Sequence, residues 1–148
     1  MTIRPLQQAD LEVVSALGIR SKASWGYSDD QMRTFQSELI WDLAMLETRT
    51  AFVTTEHTKV LGYYSLKESI PILVELEHLF VDPNHFGQGV GKTLSRHAKE
   101  TAGKAGYTGM IILSDPNAAG FYDQMQRKHV RDIPSSIQGR SIPSMKSI

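Results

Sequence analysis

The chain contains no cysteine. A disulfide framework, a thiolate nucleophile and a cysteine-type zinc site are thereby excluded. It also has no excess charge of either sign, with Lys plus Arg numbering 16 and Asp plus Glu numbering 16. That balance leaves no overall electrostatic footprint for nucleic acid, so no nucleic-acid partner is expected; only a local basic patch stays open. Long apolar runs are missing as well. The most apolar stretches, IPILVELEHLFV and GMIIL, are too short or carry Glu to span a bilayer. The first residues, MTIRPLQQADLEVV, hold no apolar run of signal-peptide length. A soluble, cytoplasmic protein with no membrane partner is the expectation. Neither an H-x-x-x-H pair nor a carboxylate cluster points to a metal, so none is expected. Internal repeats and low-complexity tracts are also lacking.

What is present is ordinary for a globular protein. The 148 residues are 41% apolar and 22% charged, enough for one core, and a single domain over 1–148 is expected. TIRPL reads as a short strand stopped by Pro5. Leu11, Val14 and Leu17 recur at helical spacing, so a helix is expected from Ala9 to Ile19. Ser28 and Gln31 match a capping box for a second helix from Asp29 to Ile40. WDLAMLETRT is ambiguous between a loop and a short helical turn. AFVTTE and VLGYYSLKE read as two strands around a tight turn at HTK.

ILVELEHLFV is a third strand. Its period places Ile72, Val74, Leu76, His78 and Phe80 on one side and Leu73, Glu75, Glu77, Leu79 and Val81 on the other. GVGKTLSRHAKETAGKAG carries the stripe Val90, Leu94, Ala98, Ala102 and is a helix ending near Gly106. GMIILS is a buried strand. DPNAAGFYDQMQRK reads as a further helix, with Phe121 and Met125 as anchors. HVRDI and SIPSM close the chain as short strands, and Pro143 would set the last at a sheet edge. Such exposed final strands would suit a homodimer. The hairpin-linked strands imply an α+β class: a mostly antiparallel twisted sheet of six or seven strands with about four helices packed on it.

One loop carries most of the chemistry. His85 to Thr93 read HFGQGVGKT, with glycines at 87, 89 and 91. A nucleotide P-loop requires G-x-x-x-x-G-K-S/T, and Phe86 stands where its first glycine must be. The dinucleotide pattern G-x-G-x-x-G fails at Lys92. The physical logic survives both failures. Glycines between a strand and a helix let backbone N–H groups approach an anion, and the helix N-terminus adds its positive end. A plain strand-to-helix turn is the simpler alternative.

ELEHLFVDPNHFGQGVGKTL resembles the acyl-CoA-binding core motif of the GNAT N-acetyltransferases, and SDPNAAGFYDQM is similar to that family's Asn…Ala…Phe-Tyr helix. The resemblance covers nearly the whole chain. It implies a GNAT-like fold, acetyl-CoA (coenzyme A) as cosubstrate, and transfer of the acetyl group to a primary amine by direct attack in a ternary complex. The implied cofactor contacts are the backbone of Leu79, Phe80 and Val81, along which the pantetheine arm pairs like a strand beside a splayed neighbour. They continue with Phe86, Gly87, Gln88, Gly89, Val90, Gly91 and Lys92 around the pyrophosphate, and with Asn117 and Tyr122. Three departures are visible. Phe86 replaces the family's Arg or Gln, Asn117 lies unusually close to Ala118, and QMQRKHV lacks the usual Gly-aromatic pair.

Acetyl transfer needs a base for the ammonium, a polarised carbonyl and a proton for the departing thiolate. Glu75 and Glu77 are the candidate bases, and the resemblance ranks Glu75 first; ordinary charges on a solvated strand face are the alternative. Tyr122 is the candidate acid, with a core aromatic beside Phe121 as its alternative. His78 lies on the opposite strand side and reads as structural, and His85 as a surface histidine. In SKASWGYSDD, Trp25 and Tyr27 are candidates for an aromatic wall facing the amine. Asp29 and Asp30 read better as compensation of a helix N-terminus. Trp41 could serve core or site. The acceptor, a small molecule or a peptide amine, is left open. Two rival readings stand beside the enzyme: a non-catalytic acyl-CoA-binding or sensing module of the same fold, and a small NTPase, which the spacing disfavours.

Overall fold

The computed structural model describes residues 1–112 and the backbone of 129–134 and 141–145. Strand β1 (Thr2–Pro5) ends at its proline. The turn after it is locked by Asp10, whose carboxylate takes a two-pronged bond from the Arg4 guanidinium at 2.7 and 2.9 Å and another from the Gln7 N–H at 2.8 Å. Helix α1 (Leu11–Ala23) runs past the expected end at Ile19. Its last turn has no apolar signal, yet Ser21 and Lys22 are buried there, so packing continues the helix where the period stops. Helix α2 (Asp29–Leu39) opens on the expected capping box. The Ser28 hydroxyl accepts from the Gln31 N–H at 3.2 Å, and the Gln31 amide oxygen accepts from the Ser28 N–H at 2.9 Å. The ambiguous segment is a short helix, α3 (Leu43–Thr48), because Asp42 caps the Met45 N–H at 2.8 Å.

Strands β2 (Thr50–Glu56), β3 (Lys59–Ile70) and β4 (Leu73–Val81) follow. The turn from β2 to β3 is His57-Thr58, both at positive φ, 51° and 71°. That sign at both central residues suits the right-handed twist of a two-residue hairpin. Helix α4 (Val90–Lys104) comes next, with Val90, Leu94, Ala98 and Ala102 all buried as its stripe requires. Then come β5 (Gly109–Ile112), β6 (His129–Pro134) and β7 (Ser141–Met145). The helix expected over DPNAAGFYDQMQRK lies outside the described residues.

The chain divides into two units. The first is Met1–Ser65 with His78–Leu94, and the second is Leu66–Glu77 with Ser95–Ile148. In the first, the strands neighbour in the order β1-β2-β3-β4, with β1 antiparallel to β2. Its core holds Val14, Leu17, Leu39, Trp41, Val53, Tyr63 and Phe80. Gly62 of β3 sits at a close approach in that unit. A Cβ there would lie 2.8 Å from the Phe80 carbonyl oxygen, 3.0 Å from Leu94 and 3.1 Å from Val90.

In the second unit β4 pairs parallel with β5, Leu73 opposite Gly109 and Leu76 opposite Ile112. Strand β7 runs antiparallel to both β5 and β6. The expectation for Pro143 is therefore corrected: β7 lies between two strands, and β6 is the edge. Proline within a sheet is otherwise tolerated beside irregular pairing, and the β6–β7 ladder does shift register between His129 and Arg131. The described residues thus hold seven strands and four helices with a parallel β4–β5 pair, the mixed α+β class read from the sequence. No helix among them is long and apolar enough to cross a membrane.

Candidate functional site

The glycine loop belongs to the first unit and is fixed from its upstream side. Asp82, at the end of β4, is buried. Its N–H donates to the Leu61 carbonyl at 2.8 Å, and its own carbonyl accepts from the His85 N–H at 2.8 Å. Its carboxylate accepts from the Asn84 N–H at 3.0 Å and from the Arg20 guanidinium of α1 at 3.1 Å. Burial alone would push this carboxyl up. The Asn84 N–H and the Arg20 and Lys59 charges outweigh it and hold the group below the ordinary carboxylate value.

From that corner the chain passes Phe86, in extended conformation, to Gly87 (φ 79°) and Gly89 (φ 81°). Gln88 between them is not at positive φ. Alternation of this kind turns successive N–H groups toward one concavity, a backbone arrangement that receives anions. Among the described residues, added Cβ atoms at either glycine would meet nothing within 4 Å, so backbone angle, not crowding by these residues, requires glycine there. Helix α4 starts immediately after. The Thr93 N–H and hydroxyl both donate to the Gly89 carbonyl, at 3.0 and 2.9 Å. Its first turn carries no acidic residue, while α1 has Glu12 and α2 has Asp29 and Asp30 there. Lys92 is exposed in that turn. The first turn of α4 thus brings no carboxylate of its own to that positive end.

The same unit holds the aromatic residues singled out in the sequence. Half-buried Trp25 lies 6.2 Å, centroid to centroid, from Phe80. Tyr27 meets Phe35 edge-on at 5.0 Å, and the buried Lys22 ammonium sits 3.7 Å over the Phe35 ring and 5.9 Å from that of Tyr27. Tyr27 and Phe35 thus already face a cation of the protein itself. Trp41 is core: its N–H donates to the Ser15 hydroxyl at 2.8 Å and its indole to the Tyr63 hydroxyl at 3.4 Å. His78 is buried among Trp41, Tyr63 and Phe80. Its Nε2 lies 3.0 Å from the Glu38 carbonyl, which can only accept, so Nε2 carries hydrogen; Nδ1 meets the Ser65 hydroxyl at 2.9 Å. This is the structural histidine expected from its strand side. His85 bonds Gln88 at the loop surface, Nδ1 to Oε1 at 3.0 Å.

In the second unit, Glu75 and Glu77 are half-buried and alternate with buried Val74 and Leu76. Glu75 stands opposite Ile111 of β5. Tyr122, Asn117 and Phe121 lie outside the described residues, as does the expected splaying of the strand beside Leu79–Val81. Among the described residues no group of three or more His, Cys, Asp or Glu side chains could hold a metal ion. Reading the sequence did not single out Asp82, Arg20 or Lys22. Asp-Pro-Asn signalled the Asp82 turn, but nothing local signals the burial of Lys22.

Residues 18–126 match the family described as the Acetyltransferase (GNAT) family. The match covers more than half of the chain, which belongs to the GNAT acetyltransferase family. No curated protein matches it. Similar solved structures include a GCN5-related N-acetyltransferase from Rhodopseudomonas palustris, at 23% identity, covering 98% of this chain and 94% of that one, with a TM-score of 0.78. The PaiA N-acetyltransferase of Thermoplasma acidophilum, solved in complex with coenzyme A, is 19% identical over 99% of both chains, with a TM-score of 0.79. A GNAT-family acetyltransferase from Brucella melitensis, solved with acetyl-CoA, is 17% identical over 98% of this chain and 86% of that one, with a TM-score of 0.69. These likenesses carry the fold.

Proposed function

We propose that the chain is an N-acetyltransferase that moves the acetyl group of acetyl-CoA onto a primary amine by direct attack in a ternary complex. The observation that carries this reading is the loop at the start of α4. Two glycines at positive φ, with no atom of the described residues within 4 Å of an added Cβ at either, precede a helix whose own first turn carries no acidic residue, in a chain of the GNAT family. Coenzyme A and acetyl-CoA in similar structures support the cosubstrate.

In this reading the N–H groups of Gly87 to Gly91 hold the pyrophosphate, helped by the charge of Lys92. The backbone of Leu79 to Val81 aligns the pantetheine arm and donates to the thioester oxygen as negative charge develops there. Glu75, or Glu77 beside it on the strand, takes the proton of the acceptor ammonium. Tyr122 gives its phenol proton to the sulfur as the C–S bond breaks. Asn117 adds a cofactor contact, and Trp25 and Tyr27 border the acceptor. A non-catalytic acyl-CoA-sensing module is the second reading, favoured by the apolar Phe86 at the head of the loop.

Calorimetry with coenzyme A, followed by an acceptor screen with acetyl-CoA that reads thiol release, tests both readings. Binding with turnover of an amine is expected. Binding without turnover of any amine moves the chain to the sensing reading, and no binding at high micromolar coenzyme A overturns both.

A further inference from the structure

Phe86 is 46% exposed. Among the described residues the other large apolar side chains of comparable exposure, such as Val13, Leu43 and Ile72, carry no ring, so this is the one phenylalanine, tyrosine or tryptophan so presented to solvent. Its backbone position is fixed by the turn before it. The Phe86 N–H donates to the Pro83 carbonyl at 3.5 Å, Pro83–His85 form a tight helical turn, and Asp82 anchors that turn from within the core. Leaving a phenylalanine in water forgoes its burial energy, and its ring has no part in the unit's core cluster.

The position of the ring points to what it could cover. It immediately precedes Gly87, the first of the two glycines whose angles turn backbone N–H groups toward an anion. A ligand anchored there by phosphate places its neighbouring group within reach of residue 86. A phenyl ring has no charge and no hydrogen-bond donor to offer a phosphate. It offers a flat apolar face, which stacks on a nucleobase regardless of the base's hydrogen-bonding edge. Of the two arms flanking the pyrophosphate of coenzyme A, the pantetheine is an alkyl-amide chain, and the other is a phosphorylated ribose bearing adenine, a flat aromatic base.

We infer that Phe86 is a nucleotide-recognition residue, its ring stacking on the adenine of a coenzyme whose pyrophosphate occupies the adjacent loop. The inference rests on the acetyltransferase reading and deepens it. The contact compensates by dispersion for the polar side chain that position 86 does not have, and it makes the affinity depend on the base as well as on the phosphates.

The experiment compares two ligands and three variants by calorimetry, using displacement where binding is weak. The ligands are coenzyme A and 4′-phosphopantetheine, which retains one phosphate and the arm but has no adenosine. The variants are Phe86→Ala, Phe86→Leu and Phe86→Trp. Phe86→Ala should weaken coenzyme A by about tenfold, the scale of removing one base–aromatic stack, and leave 4′-phosphopantetheine unchanged. Phe86→Trp should bind coenzyme A as the parent does, and Phe86→Leu should resemble Phe86→Ala. Equal affinity of Phe86→Ala and parent for coenzyme A overturns the inference. So does equal weakening of both ligands, which would mark a disturbed loop, and so does full retention by Phe86→Leu, which would mark a merely apolar contact. Failure of the parent chain to bind coenzyme A overturns the acetyltransferase reading itself, and that result is visible before any variant is measured.

Discussion

At the scale of single residues, Asp82 is the most consequential side chain that reading the sequence did not single out. It joins the end of β4 to α1 through Arg20 and shapes the approach to the glycine loop. Its folded-state pKa is depressed, so its stabilising contribution is present above the ordinary carboxylate value, about 3.9, and is lost as pH falls through the folded value. Asp82→Asn should therefore lower the urea midpoint at neutral pH, and the gap to the parent should narrow below about pH 4. A gap that stayed constant down to pH 2 would show that the charge contributes nothing. The Arg20–Asp82 pair spans 62 residues of chain, which is why no local pattern announced it. Glu75, Glu77 and His78 were legible for the opposite reason: side-chain alternation along a strand is a purely local period. Lys22 was illegible because its burial depends on Phe35 and Tyr27 of the following segment.

At the scale of elements, caps and periods carried most of the reading. Ser28 with Gln31 fixed the start of α2, and the stripe Val90, Leu94, Ala98, Ala102 fixed the buried side of α4. Two features escaped that reading, one resting on a cap too short-ranged to settle a six-residue segment and one set by neighbouring strands. Helix α3 is short and depends on its Asp42 cap. Strand β7 accepts Pro143 while flanked on both sides, which a rule about isolated strands would not anticipate. The meeting of β3 and β4 gives a direct test. Gly62 has backbone, not a flexible side-chain tip, at 2.8 Å from its would-be Cβ, so the neighbour cannot swing aside. Gly62→Ala should destabilise the protein by about 1–3 kcal/mol through overpacking, read as a lower urea midpoint with an unchanged slope. A midpoint equal to the parent's would mean that β3 and β4 can move apart without loss.

At the scale of the whole molecule, the family was legible because the glycine loop and the Phe-Tyr segment are separated by a fixed length of chain, while the acceptor was not. The absence of net charge offers no electrostatic signature by which the sequence could name an acceptor, and the contacts of the candidate residues Trp25 and Tyr27 are set by the fold. The two units recognised in the fold share β3, β4 and α4 as continuous elements, and both of the chain's tryptophans, Trp25 and Trp41, belong to the first of them. Intrinsic tryptophan emission is thus a reporter of one unit alone, whereas far-ultraviolet dichroism averages over both. Because three elements run through both units, the two optical signals should melt together at one midpoint. An emission change that came several degrees before or after the loss of ellipticity would show that one unit can come apart while the other holds.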